Sequence, residues 1–304
     1  MAFNQTTYSD NEMALMNNPP LEKLVEILEL DQLGVDKFAG HSPQDSRKRI
    51  FGGQVAAQAL VAAGRTVECG TPNSLHAYFL RPGDISLPIV FDIDRVRDGS
   101  SFTTRRIIAT QRDEIFFTMF ASFHKHEESL SHQLPMPQVP DPETLPTFKE
   151  RMAPWADQMG DWNKRMRPLE QRYVDTPQFD IREKPREPKQ YVWVRADGKL
   201  PDDPLLHAAI MTYATDMSLL DTIMLPNQVS RLTPNLMLAS LDHSVWFHGP
   251  FRVDEWFLFD QESPVSYGGR ALVRGNVFSR EGNLIVSVAQ EGLFRLIGYT
   301  GKNS

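Results

Sequence analysis

The second half of the chain sets a few reactive polar groups among apolar residues. In LLHAAIMTYATDMSLLDTIM (residues 205–224), Leu206, Ile210, Tyr213, Met217, Leu220 and Met224 recur in steps of four and three. That is the stripe of a helix packed on a sheet. At about 100° per residue, Asp216 lies roughly 80° from the centre of the stripe. It reads as a boundary carboxylate, and Asp221 flanks the other edge; helical geometry does not choose between them. Further on, Leu284, Val286, Val288 and Phe294 share one face of an alternating strand, and Gln290 falls on that face. A carboxamide there has to be hydrogen-bonded, because leaving it unpaired costs about 1–3 kcal/mol. Ser240, in LMLASLDH, shares its parity with Leu238 but also with Asp242, so alternation alone does not place it. A carboxylate can take a proton from water, and an amide with a hydroxyl can hold that water in line.

Other chemistries lack their usual signatures. No GxSxG elbow is present, and neither Gly52-Gly53 nor Gly268-Gly269 fits a phosphate-loop pattern. The eight histidines form no HExxH-type spacing, so no metal site and no cofactor are expected. Cys69 is the single cysteine, which rules out an intrachain disulfide and favours a reducing compartment. No cationic residue adjoins it, and a nucleophilic role is not expected.

A net charge of −7 argues against a general nucleic-acid binder. It leaves room for an anionic small molecule held by a local cluster such as Ser46-Arg47-Lys48-Arg49, although a solvated basic loop explains that run equally well. The N-terminal stretch lacks a basic and an apolar region of the signal-peptide type. No apolar run approaches the roughly 18 residues of a membrane span. The terminal Gly301-Lys302-Asn303-Ser304 is not a Ser-Lys-Leu-type address. These features make a soluble, cytoplasmic protein the expectation.

The elements that must position these groups occur twice. Leu75-His76-Ala77-Tyr78-Phe79-Leu80-Arg81-Pro82-Gly83 is echoed by Leu241-Asp242-His243-Ser244-Val245-Trp246-Phe247-His248-Gly249-Pro250. Each is followed by an acidic-aromatic strand, a glycine turn, an alternating strand and a last apolar strand. Such self-similarity marks a duplicated unit. His76 and His243 occupy matching positions in this alignment, which favours an architectural role for both. In the first copy, Leu21 to Leu33 reads as a short helix and Lys37 to Gly40 as a strand. Gln54 to Val67, uncharged before Arg65, reads as a helix buried almost all round. Strands follow from His76 to His124. One long helix against an antiparallel sheet is an α+β arrangement. Ten of the 22 prolines fall between Ser131 and Gln190. That texture predicts a linker over 131–165, with a short helix from Trp155 to Arg165, between an N-terminal repeat (1–130) and a C-terminal repeat (166–304). The second copy is expected to begin near Phe179-Asp180-Ile181-Arg182 and Tyr191 to Arg195. Its helix runs over 205–224, after the start signals Asp202, Asp203 and Pro204.

Six ordered motifs carry a resemblance. They are RIFGGQVAAQAL (49–60), HAYFLRPGD (76–84), VWVRADG (192–198), the Asp216 helix, LDHSVWFH (241–248) and ALVRGNVF (271–278). Together they closely resemble the acyl-CoA thioesterase II family, over about Leu21 to Arg295. The resemblance implies a double hot-dog fold, two tandem repeats in which a long helix is wrapped by an antiparallel sheet and the two sheets join. It also implies three catalytic positions: an aspartate on the second helix, a threonine or serine at the start of the following strand, and a glutamine late in the last strand. By motif these are Asp216, Ser240 and Gln290, with the choice between the two aspartates falling on Asp216. Ser240 stands where threonine is common and keeps the hydroxyl.

The implied activity is hydrolysis of acyl-CoA to free acid and CoA, with the carboxylate as general base and developing oxyanion charge met by preorganised donors. Backbone N–H groups at the start of the first buried helix are candidate donors. Gly52, Gly53 and His76 are the expected substrate-binding residues. The first helix carries no carboxylate between Gln54 and Arg65, so one site per chain is expected. Family members associate through their sheets, so a homodimer or higher homo-oligomer is implied, and the family leaves a peroxisomal location open. Two alternatives stand beside hydrolysis. One is a hot-dog dehydratase or hydratase, which uses an aspartate closely followed by a histidine; no histidine follows Asp216 before His243. The other is a catalytically silent acyl-CoA scaffold.

Overall fold

Two buried helices organise the molecule. The computed structural model describes residues 19–43, 49–159, 167–175 and 184–298. Helix α1 spans Pro19–Leu28 and α2 spans Gly52–Gly64, with every residue from Gly53 to Ala63 buried. An alanine-rich, uncharged helix has no solvated face to offer, and burial on all sides is the stable outcome. Helix α3, Pro204–Thr215, starts as its sequence dictates: Pro204 takes the first turn, and the Asp203 carboxylate accepts from Leu205 N (2.9 Å) and Leu206 N (3.3 Å). A Cβ on Gly64 would lie 2.5 Å from Leu205, and one on Gly53 would lie 2.9 Å from the Tyr213 carbonyl oxygen. The two helices therefore pack closely and antiparallel, with the start of α2 against the end of α3.

Among the described residues, thirteen strands form one sheet around this pair. They are β1 (Asp31–Gly34), β2 (Lys37–Gly40), β3 (Thr71–Phe79), β4 (Ile89–Asp98), β5 (Phe102–Gln111), β6 (Glu114–His124), β7 (Leu169–Tyr173), β8 (Lys189–Ala196), β9 (Leu236–Ser240), β10 (Asp242–Phe247), β11 (Phe257–Tyr267), β12 (Arg270–Ser279) and β13 (Leu284–Leu296). The order is β1-β2-β4-β5-β6-β3-β10-β13-β12-β11-β8-β7, with β9 also paired to β13. From the β3–β10 seam outwards, β3-β6-β5-β4 on one side answers β10-β13-β12-β11 on the other. This is the double hot-dog arrangement. At the seam Leu75 pairs with Val245 and Ala77 with His243, and these four side chains point inward to the helices.

Three expectations need correction. The first helix stops at Leu28, and Asp31–Gly34 forms a hairpin with Lys37–Gly40 instead. The second helix ends at Thr215 rather than Met224. Thr212 turns its hydroxyl back to the carbonyl of Ala208 (2.8 Å), and Thr215 Oγ1 lies 3.0 Å from the Thr212 carbonyl oxygen. Buried Ser218, engaged by Gln190 and Gln261, draws the chain into a 3₁₀ turn over Leu219–Ile223. In the proline-rich stretch helical turns begin before Trp155, and the chain packs on the sheet. Met136, Val139 and Leu145 cover Trp193, Trp256, Leu258 and Phe278, and Trp193 Nε1 donates to the Pro140 carbonyl at 2.9 Å. Its helical turns lie at Phe148–Met152 and Ala156–Met159, joined by a 3₁₀ turn. The rest of the expected 155–165 helix, Phe179 to Arg182, and Ser46 to Lys48 lie outside the described residues.

Candidate active site

Because α3 ends at Thr215, Asp216 occupies the C-cap position and its carboxylate leaves the helix axis toward the start of α2. It is buried at 8 % exposure, deeper than the boundary position its helical phase predicts, since α2 closes over it. Oδ2 accepts the backbone N–H of Gly53 at 2.7 Å. Oδ1 accepts from Gln290 Nε2 at 2.9 Å and from Ser240 Oγ at 3.1 Å. Gln290 Nε2 also donates to Ser240 Oγ at 2.5 Å. The structure thus brings Asp216, Ser240 and Gln290 into one triangle, and adds Gly53 from the other repeat.

The strand geometry explains why alternation failed for Ser240. On β13, Gly292 pairs with Ser240 of β9, but Ala289 pairs with Ser244 of β10. Three residues, Leu241 to His243, therefore face two, Gln290 and Glu291. This is a bulge, held by Leu241 N donating to the Glu291 carbonyl (2.9 Å) and Glu291 N donating to Asp242 Oδ1 (2.7 Å). A bulge shifts parity by one and re-aims the side chains around it. Ser240 and His243, an odd number of residues apart, consequently both face the helices.

The repeat alignment assigns His243 to architecture. It is fully buried, with Nδ1 3.2 Å from Gln290 Oε1 and Nε2 2.9 Å from Thr215 Oγ1. Burial holds its imidazole below the usual range, partly opposed by the Asp216 carboxylate. The sequence signal for it was the polar residue itself, in a strand whose neighbours Val245 and Phe247 are core.

His76 is placed differently. It lies between inward-facing Leu75 and Ala77, so its ring points to the outer face of the sheet. There Nδ1 meets Ser244 Oγ at 3.1 Å and the ring sits edge-on to Trp246. His76 is therefore on the opposite side of the sheet from Asp216, and its partner across the seam is Ser244 rather than His243. His76 thus does not reach the Asp216 triangle, and it is not the structural equivalent of His243. Gly52 and Gly53, in contrast, lie against the carboxylate. A Cβ on Gly52 would stand 2.9 Å from Asp216 Oδ2 and 3.0 Å from the Phe79 ring.

Asp221 belongs elsewhere. It forms an ion pair with Arg231 (2.6 Å), and burial raises its carboxyl above the ordinary range against the pull of that guanidinium. Among the described residues, no group of three His, Cys, Asp or Glu is arranged to hold a metal ion.

Sequence comparison fits this geometry. A family model described as acyl-CoA thioesterase matches residues 170–293, and one described as acyl-CoA thioesterase N-terminal domain matches residues 41–124. The mouse protein acyl-coenzyme A thioesterase 8 is 38% identical over 288 residues, covering 90% of this chain and 89% of its own. The chain belongs to the acyl-CoA thioesterase family. Acyl-CoA thioesterase 2 of Haemophilus influenzae is 33% identical, covering 90% of this chain and 98% of its own. Among solved structures, the acyl-CoA thioesterase II TesB2 of Mycobacterium marinum is 40% identical with a TM-score of 0.76, covering 92% of this chain and all of its own. A hot-dog protein of unknown function from Alicyclobacillus acidocaldarius, 22% identical with a TM-score of 0.73 over 90% of this chain and 98% of its own, shares the fold. For this thioesterase, the two matched stretches contribute Gly53 on one side and Asp216, Ser240 and Gln290 on the other.

Proposed function

We propose that this protein hydrolyses acyl-CoA to a free carboxylic acid and CoA by direct attack of water, with Asp216 as general base. The observation that carries the reading is the convergence of Ser240 Oγ and Gln290 Nε2 on a single oxygen of a buried carboxylate. A water entering this triangle meets a proton acceptor and two groups able to orient it. As its oxygen bonds to the thioester carbonyl carbon, its proton passes to Asp216. The tetrahedral intermediate then collapses, the C–S bond breaks, and the CoA sulfur recovers the proton from Asp216. General-base help of this kind is worth about 10²–10⁴ in rate, and positioning adds to it.

The start of α2 supplies the electrostatics. Its first turn presents backbone N–H groups and the positive end of the helix dipole beside the carboxylate. The Gly53 N–H is taken by Asp216 and those of Gln54 and Val55 by the Phe51 carbonyl, so the Gly52 N–H is the donor of this turn proposed to meet a thioester carbonyl. The site is accordingly shared: the C-terminal repeat (166–304) holds the side chains, and the N-terminal repeat (1–130) closes over them, with 131–165 bridging the two. Fatty-acyl metabolism in the cytosol is the proposed setting. It is supported by the reduced cysteine inventory and by the absence, among the described residues, of a helix long and apolar enough to cross a membrane. A homo-oligomer is proposed to form through the outer sheet face, where Tyr78, Phe120 and Trp246 are exposed.

Release of free thiol from a panel of acyl-CoAs tests the activity, with Asp216→Asn as control. Turnover by the wild type and its loss in the variant are expected. No release from any acyl-CoA would point instead to a binding scaffold.

A further inference from the structure

The orientation of Gln290 follows from which atoms can donate. Rotation about the last torsion of a glutamine is broad and roughly two-fold, so nothing intrinsic to the side chain fixes which end of the amide faces Asp216. An ionised carboxylate only accepts. The amide atom 2.9 Å from Asp216 Oδ1 is therefore nitrogen, and its two hydrogens go to Asp216 and Ser240. That leaves Oε1 turned the other way, buried, 3.2 Å from His243 Nδ1. Two acceptors do not bond, so Nδ1 carries the hydrogen. In the neutral ring Nε2 is then an acceptor, so the one hydrogen of the Thr215 hydroxyl goes to it at 2.9 Å rather than to the Thr212 carbonyl at 3.0 Å. Thr215 is the residue before Asp216. The network thus runs as a closed circuit from the end of α3 through His243 and Gln290 back to the carboxylate.

We infer that His243 is a positioning residue, whose Nδ1–H pins Gln290 Oε1 and so keeps the amide nitrogen on Asp216 and Ser240. It touches neither water nor substrate in this scheme. Without the pin, Oε1 is left unpaired in a buried site, and rotation of the amide sets its oxygen against the carboxylate. The inference rests on the reading of Asp216 as the base of a hydrolytic reaction. Asparagine at 243 can present an amide nitrogen at the Nδ1 position, whereas phenylalanine fills the space without a donor.

Steady-state hydrolysis by His243→Phe is expected to show kcat reduced about ten- to hundredfold, the size seen when the group orienting a reactive centre is removed, with KM nearly unchanged. His243→Asn is expected to recover most of that loss. In a Gln290→Ala background, His243→Phe is expected to cost nothing further. Nitrogen-15 NMR of the wild-type imidazoles supplies a readout independent of turnover: His243 protonated at Nδ1 and bare at Nε2 at neutral pH. Equal losses in the Phe and Asn variants, additive losses in the Gln290→Ala background, or the opposite tautomer would overturn the inference. If His243→Phe does not fold, the tautomer and the Asn variant still decide it. Retained activity in Asp216→Asn would sink the hydrolytic reading alone, because the tautomer does not depend on it.

Discussion

Gly53 and Asp216, 163 positions apart, are joined by a 2.7 Å hydrogen bond from the backbone N–H of one to Oδ2 of the other. Each residue lies at the end of a buried helix, one in each repeat, and the antiparallel packing of α2 on α3 brings those ends together. The duplication therefore builds a single site from two unequal halves. One copy supplies a helix start without a side chain in the way, and the other supplies the carboxylate.

That contact makes Gly52 intolerant of even a methyl group. A Cβ there would press on Asp216 Oδ2 and on the Phe79 ring. Misplacing a reacting group by about 1 Å can cost roughly a hundredfold in rate. Gly52→Ala is thus expected to lower kcat by at least about tenfold, while circular dichroism reports the fold intact. Wild-type kcat in the alanine variant would show that the start of α2 is not close to the chemistry.

Ser240 is expected to act through its hydroxyl alone. Ser240→Thr keeps Oγ and should hold kcat within about threefold, whereas Ser240→Ala should lose about tenfold or more. Comparable rates for the two variants, measured as thiol release, would contradict this role.

Asp221, the other aspartate of the same segment, belongs to stability rather than chemistry. Its partly buried carboxylate is paired with the more exposed guanidinium of Arg231. Arg231→Met strands that charge and is expected to destabilise the protein by about 1–3 kcal/mol. Adding Asp221→Leu should restore much of the melting temperature, since a paired apolar replacement leaves no orphan. An unaltered melting temperature in the single variant would refute the assignment.

Buried imidazoles give the fold a dependence on acid. Burial holds His243 and His207 below the usual histidine range. The unfolded chain takes up protons near its ordinary value of 6.5, while the folded protein resists them. The stability these groups confer is complete above that value and is lost as pH falls through their folded-state values. Melting temperature is expected to drop on acidification below about pH 6.5, and to drop less steeply in His243→Asn. Identical slopes for the variant and wild type would show that His243 is not a neutral group in the folded state.

Much of this arrangement was legible in the sequence, and the gaps have physical causes. Gln290 could be read from strand parity, because β13 runs regularly through Val286 and Val288 to that position. The all-round burial of α2 followed from its uncharged alanine run. Asp216 was visible only as a boundary acid, because the helix pattern continues past it in apolar spacing while the backbone does not. Ser240 was hidden by the bulge at Leu241 to His243, which no period-two rule anticipates, whereas His243 shares the parity of Val245 and Phe247 and was obscured by the repeat alignment. His76 misled for the same reason: the extra residue in the second copy shifts the alignment by one and turns an outward histidine into an apparent equivalent of an inward one. The contact between Gly53 and Asp216 had no local signature, since it depends on how two distant helices cross.

Asp216 is the group proposed to accept the proton of the attacking water. Asp216→Asn keeps the shape and nearly the volume of the side chain while removing its basicity, so thiol release from acyl-CoA under saturating substrate tests the claim most directly. A fall in kcat of at least about a hundredfold is expected, with KM close to wild type. An Asp216→Asn enzyme that turns over at the wild-type rate would contradict it.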